Sequence, residues 1–140
     1  ENVEDLQEAV DVLRGNGCTQ ICMLKCTSAY PAKPEDANLL TLQNMRDTFD
    51  VVPGISDHTL GISYALKACA YGAKYVEKHF TLNREIGSHD DAFSITPNEF
   101  KYMVDTIRKV EQTFGNITYG GIKNENSSKK YRRSLFVTKI

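Results

Sequence analysis

The chain reads as an α/β protein built from parallel strands that alternate with helices. Three observations predict it. Stretches with apolar residues at helical spacing alternate along the sequence with short apolar runs, giving the order helix, strand, helix, strand, helix, strand, loop, helix. The run Ile21-Cys22-Met23-Leu24-Lys25-Cys26 is nearly continuous in apolar residues, as a strand buried on both faces of a parallel sheet is. The balance of 41% hydrophobic and 25% charged residues over 140 positions suits one ordinary globular domain. Strands in this order require right-handed crossovers, in either an open doubly wound sheet or part of an eight-stranded barrel. Three strands cannot close a barrel, so the second arrangement needs further strands upstream.

Each element has a local cause. Val3, Leu6, Ala9, Val10 and Leu13 form one face of a first helix, and Gly15-Asn16-Gly17 supplies its stop. The first strand follows at Ile21–Cys26. Tyr30-Pro31-Ala32-Lys33-Pro34 is an irregular loop, because each proline lacks a donor and restricts its predecessor. Asp36 to Phe49 reads as the second helix. The second strand, Asp50 to Ser56, is expected to be weak or bulged at Pro53-Gly54. Leu60 to Tyr71 is a helix closed by Gly72, and Ala73 to Phe80 is the third strand. A polar loop, Thr81 to Ser94, leads to a helix that Thr96-Pro97-Asn98-Glu99 caps, with Phe100, Met103, Val104, Ile107, Val110 and Phe114 as its buried stripe. A polar linker starts at Tyr119-Gly120-Gly121.

Several function classes drop out. A net charge of -1 argues against a general nucleic-acid binder, and the basic cluster Lys129-Lys130-Tyr131-Arg132-Arg133 reads as a solvated linker. No apolar stretch approaches the roughly 20 residues that span a bilayer. Cys18, Cys22, Cys26 and Cys69 lack paired metal-binding spacing and read as free thiols of a reducing cytoplasm. The opening Glu1–Leu6 is acidic and helix-like rather than a signal peptide. With no initiator Met and an end at Val137–Ile140 inside an apolar run, the chain is expected to be a piece of a longer protein. Walker, GxGxxG, HExxH and GxSxG patterns are all absent from the sequence.

Chemistry concentrates around the three histidines, His58, His79 and His89. His58 and His79 end successive strands, where two imidazoles side by side can share one metal ion while leaving most of its coordination sphere open. Taken singly, each is better explained by a bond to a backbone carbonyl; together, at equivalent strand ends, the two favour a shared role. Glu77 shares the face of His79, while Lys78 points the other way. The Glu77 carboxylate suits acid/base work beside a metal, or an ion pair with a neighbouring strand. Ser56 shares the face of His58, placed either to donate to a phosphate or carboxylate or to cap the next helix. Lys25 in an apolar strand calls for an anionic partner. The hydroxyls of Thr27, Ser28 and Tyr30 suit sugar or phosphate oxygens, or simply fix a turn. Asp90 or Asp91 can bind a polyol, or be a solvated loop acid.

The motifs Lys25-Cys26-Thr27-Ser28-Ala29-Tyr30-Pro31, Gly54-Ile55-Ser56-Asp57-His58-Thr59-Leu60-Gly61, Glu77-Lys78-His79-Phe80-Thr81 and Asp91-Ala92-Phe93-Ser94 together resemble the sialic acid synthase family over nearly the whole chain. Lys25–Ser28, Asp91–Ser94 and Tyr131-Arg132-Arg133-Ser134-Leu135 look most like its pseudaminic acid synthase branch. The resemblance implies that residues 1–118 are the C-terminal part of a (β/α)8 TIM barrel, with about three strands and their helices. Residues 119–140 would then be a linker and the start of an antifreeze-like (SAF) domain, in a domain-swapped homodimer of the cytoplasm.

It also implies an enzyme that condenses phosphoenolpyruvate with an N-acetylated amino sugar, releases phosphate, and needs Mn²⁺ or Mg²⁺. By position in the motifs, His58 and His79 are the implied metal ligands, and Glu77 and His79 the catalytic pair. Lys25, Ser28, Tyr30, Ser56 and Asp90 are the implied substrate contacts. Where the family usually reads Gly-Pro-Asp, this chain has Ser88-His89-Asp90. The piece alone is expected to be inactive. Two competing expectations are a barrel lyase or aldolase forming a Schiff base on Lys25, and a noncatalytic sugar-binding or assembly fragment.

Overall fold

The computed structural model describes residues 2–133, 138 and 139; Glu1, Ser134, Leu135, Val137 and Ile140, which the sequence reading used, lie outside it. Helix α1, Val3–Gly15, opens with a capping box in which the Asp5 N–H donates to Asn2 Oδ1 (2.8 Å). It stops where Gly17, at φ +90°, lets the Cys18 N–H turn back to the Leu13 carbonyl (3.0 Å). Strand β1 is Cys22–Cys26, β2 Val52–Asp57 and β3 Tyr75–Lys78, all parallel in the order β1-β2-β3. Between them lie α2 (Thr41–Phe49) and α3 (Ser63–Ala70), and α4 (Pro97–Gln112) follows β3. A one-turn helix, α5 (Asn126–Lys129), comes near the end.

The alternation expected from the sequence is present, with corrected boundaries. The helix expected from Asp36 begins only at Thr41, because Pro34–Asp36 forms a separate 3₁₀ turn and Asn38 takes a left-handed φ of +46°. The central strand is not weak. Alternate residues of a parallel strand turn both backbone groups toward the same neighbour, and Val52 donates to Ile21 of the β1 side (2.9 Å). Pro53 therefore faces β3, where its carbonyl accepts from Lys74 (2.8 Å) just before that strand starts. Its missing donor falls beside a turn, so the ladder loses nothing.

Gly54 is required here. A Cβ on it would stand 2.8 Å from the Tyr75 Cβ and crowd Leu24.

One face of the sheet carries Ile55 and Val76 into a core with Leu42, Ala65, Ala68 and Met103, from the three helices that cover it. A second cluster joins Val10 to Met45, Phe49 and Val51 under α1 and α2. Strand β1 is half-buried rather than buried on both faces, since it is an edge of the described sheet. In α4, Met103 and Ile107 are buried as expected; Phe100 is exposed, and so is Phe114, which lies beyond the end of the helix. Among the described residues no helix is long and apolar enough to cross a membrane.

Candidate functional site

Register decides which side chains meet. Cys26, Ser56 and Glu77 lie opposite one another across the three strands, and residues aligned in a parallel sheet point to the same face. That face is the one turned away from the helices. His58 and His79 lie two residues beyond Ser56 and Glu77 and project from the same side. Their ring centroids are 5.1 Å apart in an edge-to-face arrangement.

Hydrogen bonds tie the group together. Ser56 Oγ donates to Glu77 Oε1 at 2.7 Å and lies 3.4 Å from His58 Nε2. His58 is 5% exposed, and its Nδ1 is 2.9 Å from the Thr27 carbonyl. A carbonyl only accepts, so Nδ1 carries the proton and Nε2 keeps its lone pair. The His79 Nδ1 stands 3.3 Å from Asp90 Oδ2. Tyr30, exposed at the rim, lays its ring 4.3 Å from that of His58 and 5.8 Å from that of His79. Phe93, buried, closes the far side at 5.0 Å from His79 and 5.6 Å from Tyr30.

On the helix-covered face, the same strand ends carry a sealed ion pair. Lys78 Nζ is 2.9 Å from Asp57 Oδ2, with side chains 2% and 0% exposed, and it also donates to the Thr59 carbonyl (2.6 Å). Asp57 Oδ1 accepts from both the N–H and the hydroxyl of Thr59, each at 2.8 Å. Residues 57 and 78 alternate with 58 and 79, so the anchor and the two imidazoles sit back to back. The His58 carbonyl is held too, by the Ala32 N–H at 2.9 Å.

His58, His79, Ser56, Glu77, Tyr30 and Asp90 thus converge, as their motifs implied. Lys25 does not. Its Cα partner is Ile55, which places it on the helix side, and its Nζ curls to the Cys26 carbonyl (3.3 Å) and Thr27 Oγ1 (3.5 Å) rather than to an anion. That position corrects its assignment to the substrate face and gives an imine on Lys25 no route to the histidines. Ser28 is exposed, and its hydroxyl's one hydrogen-bond contact among the described residues is Cys26 Sγ (3.7 Å). Glu77 is exposed rather than buried, and it bonds a serine instead of forming an ion pair. Asp91 turns away to build the loop, accepting from the Ser88 N–H (2.7 Å) and hydroxyl (3.0 Å).

Sequence reasoning missed Phe93 and the Thr27 carbonyl. Both belong to irregular loops, which have no period to follow. Among the described residues, no group of three or more His, Cys, Asp or Glu side chains is placed to enclose a cation. Two imidazoles side by side, one with its Nε2 lone pair fixed, fit an open site that completes its coordination with small ligands.

Comparisons with known proteins accord with this arrangement. The model of the NeuB family matches residues 1–119. The pseudaminic acid synthase of Helicobacter pylori is 40% identical over 137 residues, 96% of this chain and 40% of that protein. The N,N'-diacetyllegionaminic acid synthase of Campylobacter jejuni is 37% identical over 145 residues, covering 99% of this chain and 42% of its own length. The crystal structure of an N-acetylneuraminic acid synthetase from Leptospira borgpetersenii, in complex with citrate, superposes with a TM-score of 0.80 at 29% identity, over 96% of this chain and 47% of that one. This chain therefore spans less than half the length of each of these relatives.

Proposed function

The chain belongs to the NeuB family, the sialic acid synthases, and on that premise we propose that it carries part of the active centre of a nonulosonic acid synthase. The enzyme joins C3 of phosphoenolpyruvate to the aldehyde carbon of an open-chain N-acetylated amino sugar. Water adds at C2, phosphate leaves, and a nine-carbon 2-keto acid results. The pseudaminic and legionaminic acid synthases among its relatives support a bacterial-type sugar of that class. The observation that carries the reading is the pairing of His58 and His79, 5.1 Å apart, beside the Ser56–Glu77 hydrogen bond.

In this reading His58 and His79 hold a divalent cation, Mn²⁺ or Mg²⁺, which supplies polarisation of the sugar carbonyl. Ser56, whose one hydroxyl hydrogen goes to Glu77 in the structure, turns it to phosphoenolpyruvate when that substrate binds, and Ser28 adds a second hydroxyl just beyond β1. Glu77, its carboxylate free of any cation among the described residues, is the group placed to accept or return a proton near the reacting carbons. Tyr30 and Phe93 wall the sugar against the imidazoles, which fixes its orientation and keeps water from one side.

The architecture that goes with this function is the C-terminal part of a (β/α)8 barrel over residues 1–118. The end of the family match at residue 119 supports reading 119–140 as a linker and the start of a small SAF domain. A domain-swapped homodimer in the cytoplasm completes the proposal. The test is phosphate release by the intact protein from phosphoenolpyruvate and N-acetylated amino sugars. Activity should vanish with EDTA and return with Mn²⁺. Unchanged turnover in excess EDTA would defeat the metal assignment, and no phosphate release with any such sugar would defeat the reaction.

A further inference from the structure

We propose that Asp90 is a positioning residue for His79: its carboxylate keeps the imidazole in the tautomer protonated at Nδ1 and so leaves the Nε2 lone pair for a ligand. The inference rests on the reading of His79 as a metal ligand given above. Its basis is the 3.3 Å approach of Asp90 Oδ2 to His79 Nδ1, a charge contact beside that nitrogen rather than an aligned hydrogen bond. An ionised carboxylate has no proton to give and attracts the ring hydrogen to the nitrogen beside it, so it favours the tautomer protonated at Nδ1. His58 is held in the same sense by a different device, the Thr27 carbonyl at 2.9 Å from its Nδ1. Two rings on successive strands thus have the same nitrogen committed, one to the backbone and one to a side chain.

The segment that bears Asp90 is built to hold this position. Ser94 donates to the Asp90 carbonyl through both its N–H (3.0 Å) and its hydroxyl (2.7 Å), closing a tight turn. The Ile95 N–H then donates to the His79 carbonyl at 2.8 Å, and the buried Phe93 ring packs 5.0 Å from the imidazole. A run of six residues therefore grips His79 at its ring nitrogen, its ring and its backbone. Only the first of these involves the Asp90 side chain. That side chain is 53% exposed and makes no hydrogen bond among the described residues, so replacing it leaves the turn intact. Its neighbour Asp91 is spent on Ser88 and cannot substitute.

The experiment uses the intact protein labelled with ¹⁵N-histidine, free of metal, at pH ~8.5, about two units above the ordinary imidazole value. The ring nitrogens of His58 and His79, assigned by substituting each histidine, should both show a protonated Nδ1 and an unprotonated Nε2. In Asp90→Ala the His79 pattern should shift toward the other tautomer while that of His58 stays. Asp90→Asn, whose amide oxygen accepts the same hydrogen, should restore it. Titrated Mn²⁺ should broaden both rings in the wild type and bind about 10-fold more weakly to Asp90→Ala, the low end of what loss of a ligand-orienting partner costs. A wild-type His79 protonated at Nε2 overturns the proposal, as does an Asp90→Ala protein with unchanged tautomer or unchanged Mn²⁺ affinity. If the tautomer responds as stated but Mn²⁺ broadens neither ring, the metal reading fails and the orienting role of Asp90 stands.

Discussion

Removing Lys78 should damage this protein far more than a single lysine usually does. The Asp57 carboxylate is wholly sealed, and Lys78 is its only cation among the described residues. In Lys78→Met the carboxylate keeps two hydrogen bonds from Thr59 but stays charged away from water, an arrangement that costs about 3–5 kcal/mol. That is a large share of the roughly 5–15 kcal/mol by which a domain is stable. Asp57→Asn strands the ammonium instead and should cost a comparable amount. In the double variant Asp57→Asn/Lys78→Met no charge remains, and the Asn oxygen still accepts from the Thr59 N–H. The residual defect is the Thr59 carbonyl without its lysine donor, about 1–3 kcal/mol. Urea unfolding of the four proteins, followed by circular dichroism, closes the cycle. The double variant should be more stable than the sum of the singles by at least ~2 kcal/mol. A Lys78→Met protein destabilised by less than ~1 kcal/mol, or strict additivity, would refute the reasoning.

Gly54→Ala should lower the urea midpoint by an amount worth about 1–3 kcal/mol, because the new Cβ meets the Tyr75 Cβ at 2.8 Å and its carbonyl at 2.9 Å. The Tyr64 hydroxyl is buried with no hydrogen-bond partner among the described residues, and burial, reinforced by the charge of Asp57, pushes the phenol up to about 12. Tyr64→Phe should therefore match the wild type or gain up to about 1 kcal/mol in the same assay, and it should remove the phenol ionisation near pH 12 from a spectrophotometric titration. Glu99 caps α4 through the Thr96 N–H and hydroxyl, both at 2.8 Å, and pairs with Arg84. The Arg84 hydrogen bond first, and the Thr96 N–H after it, hold its carboxyl down to about 2. A carboxyl lowered by folding stabilises the protein above its ordinary value of 4.5 and loses that contribution as the pH falls from there toward 2. Glu99→Ala should cost about 1 kcal/mol at pH 7 and flatten the acid side of the stability profile between those limits.

The helices and strands were legible wherever a period was long enough to register. The apolar face of α1 and the capping signature at Thr96–Glu99 are local, and both stand in the structure. Boundaries slipped where backbone geometry overruled composition, as at Asn38, whose left-handed φ delays α2 to Thr41. Alternation alone put Ser56 on the face of His58 and Glu77 on that of His79, since each precedes its histidine by two residues; that the two side chains meet follows from the register. Alternation applied to Lys25 places it, too, one step out of phase with Cys26 and hence on the other face; the apolar character of the run hid that consequence. The Asp57–Lys78 pair went unrecognised because it joins residues 21 positions apart through a register that no local pattern encodes. Phe93 and the contact of Asp90 with His79 depend on how a loop of fourteen residues, 81–94, folds back, and the isolated bridge Phe80–Ile95 that fixes this leaves no mark on composition.

The proline-glycine step in the middle of the sheet acts as a ratchet against sliding. A displacement of β3 that keeps its side chains on their present faces must move it by two residues. Shifted one way, β3 would run alongside Pro53 and ask it for a hydrogen it does not have; shifted the other way, Tyr75 would come against Ser56, whose Cβ occupies the space that Gly54 leaves open. Either movement would also part Ser56 from Glu77 and His58 from His79. The two least strand-like residues of β2 therefore keep the two imidazoles, and Ser56 and Glu77, opposite each other, and a change at either should be felt at the far end of the strand.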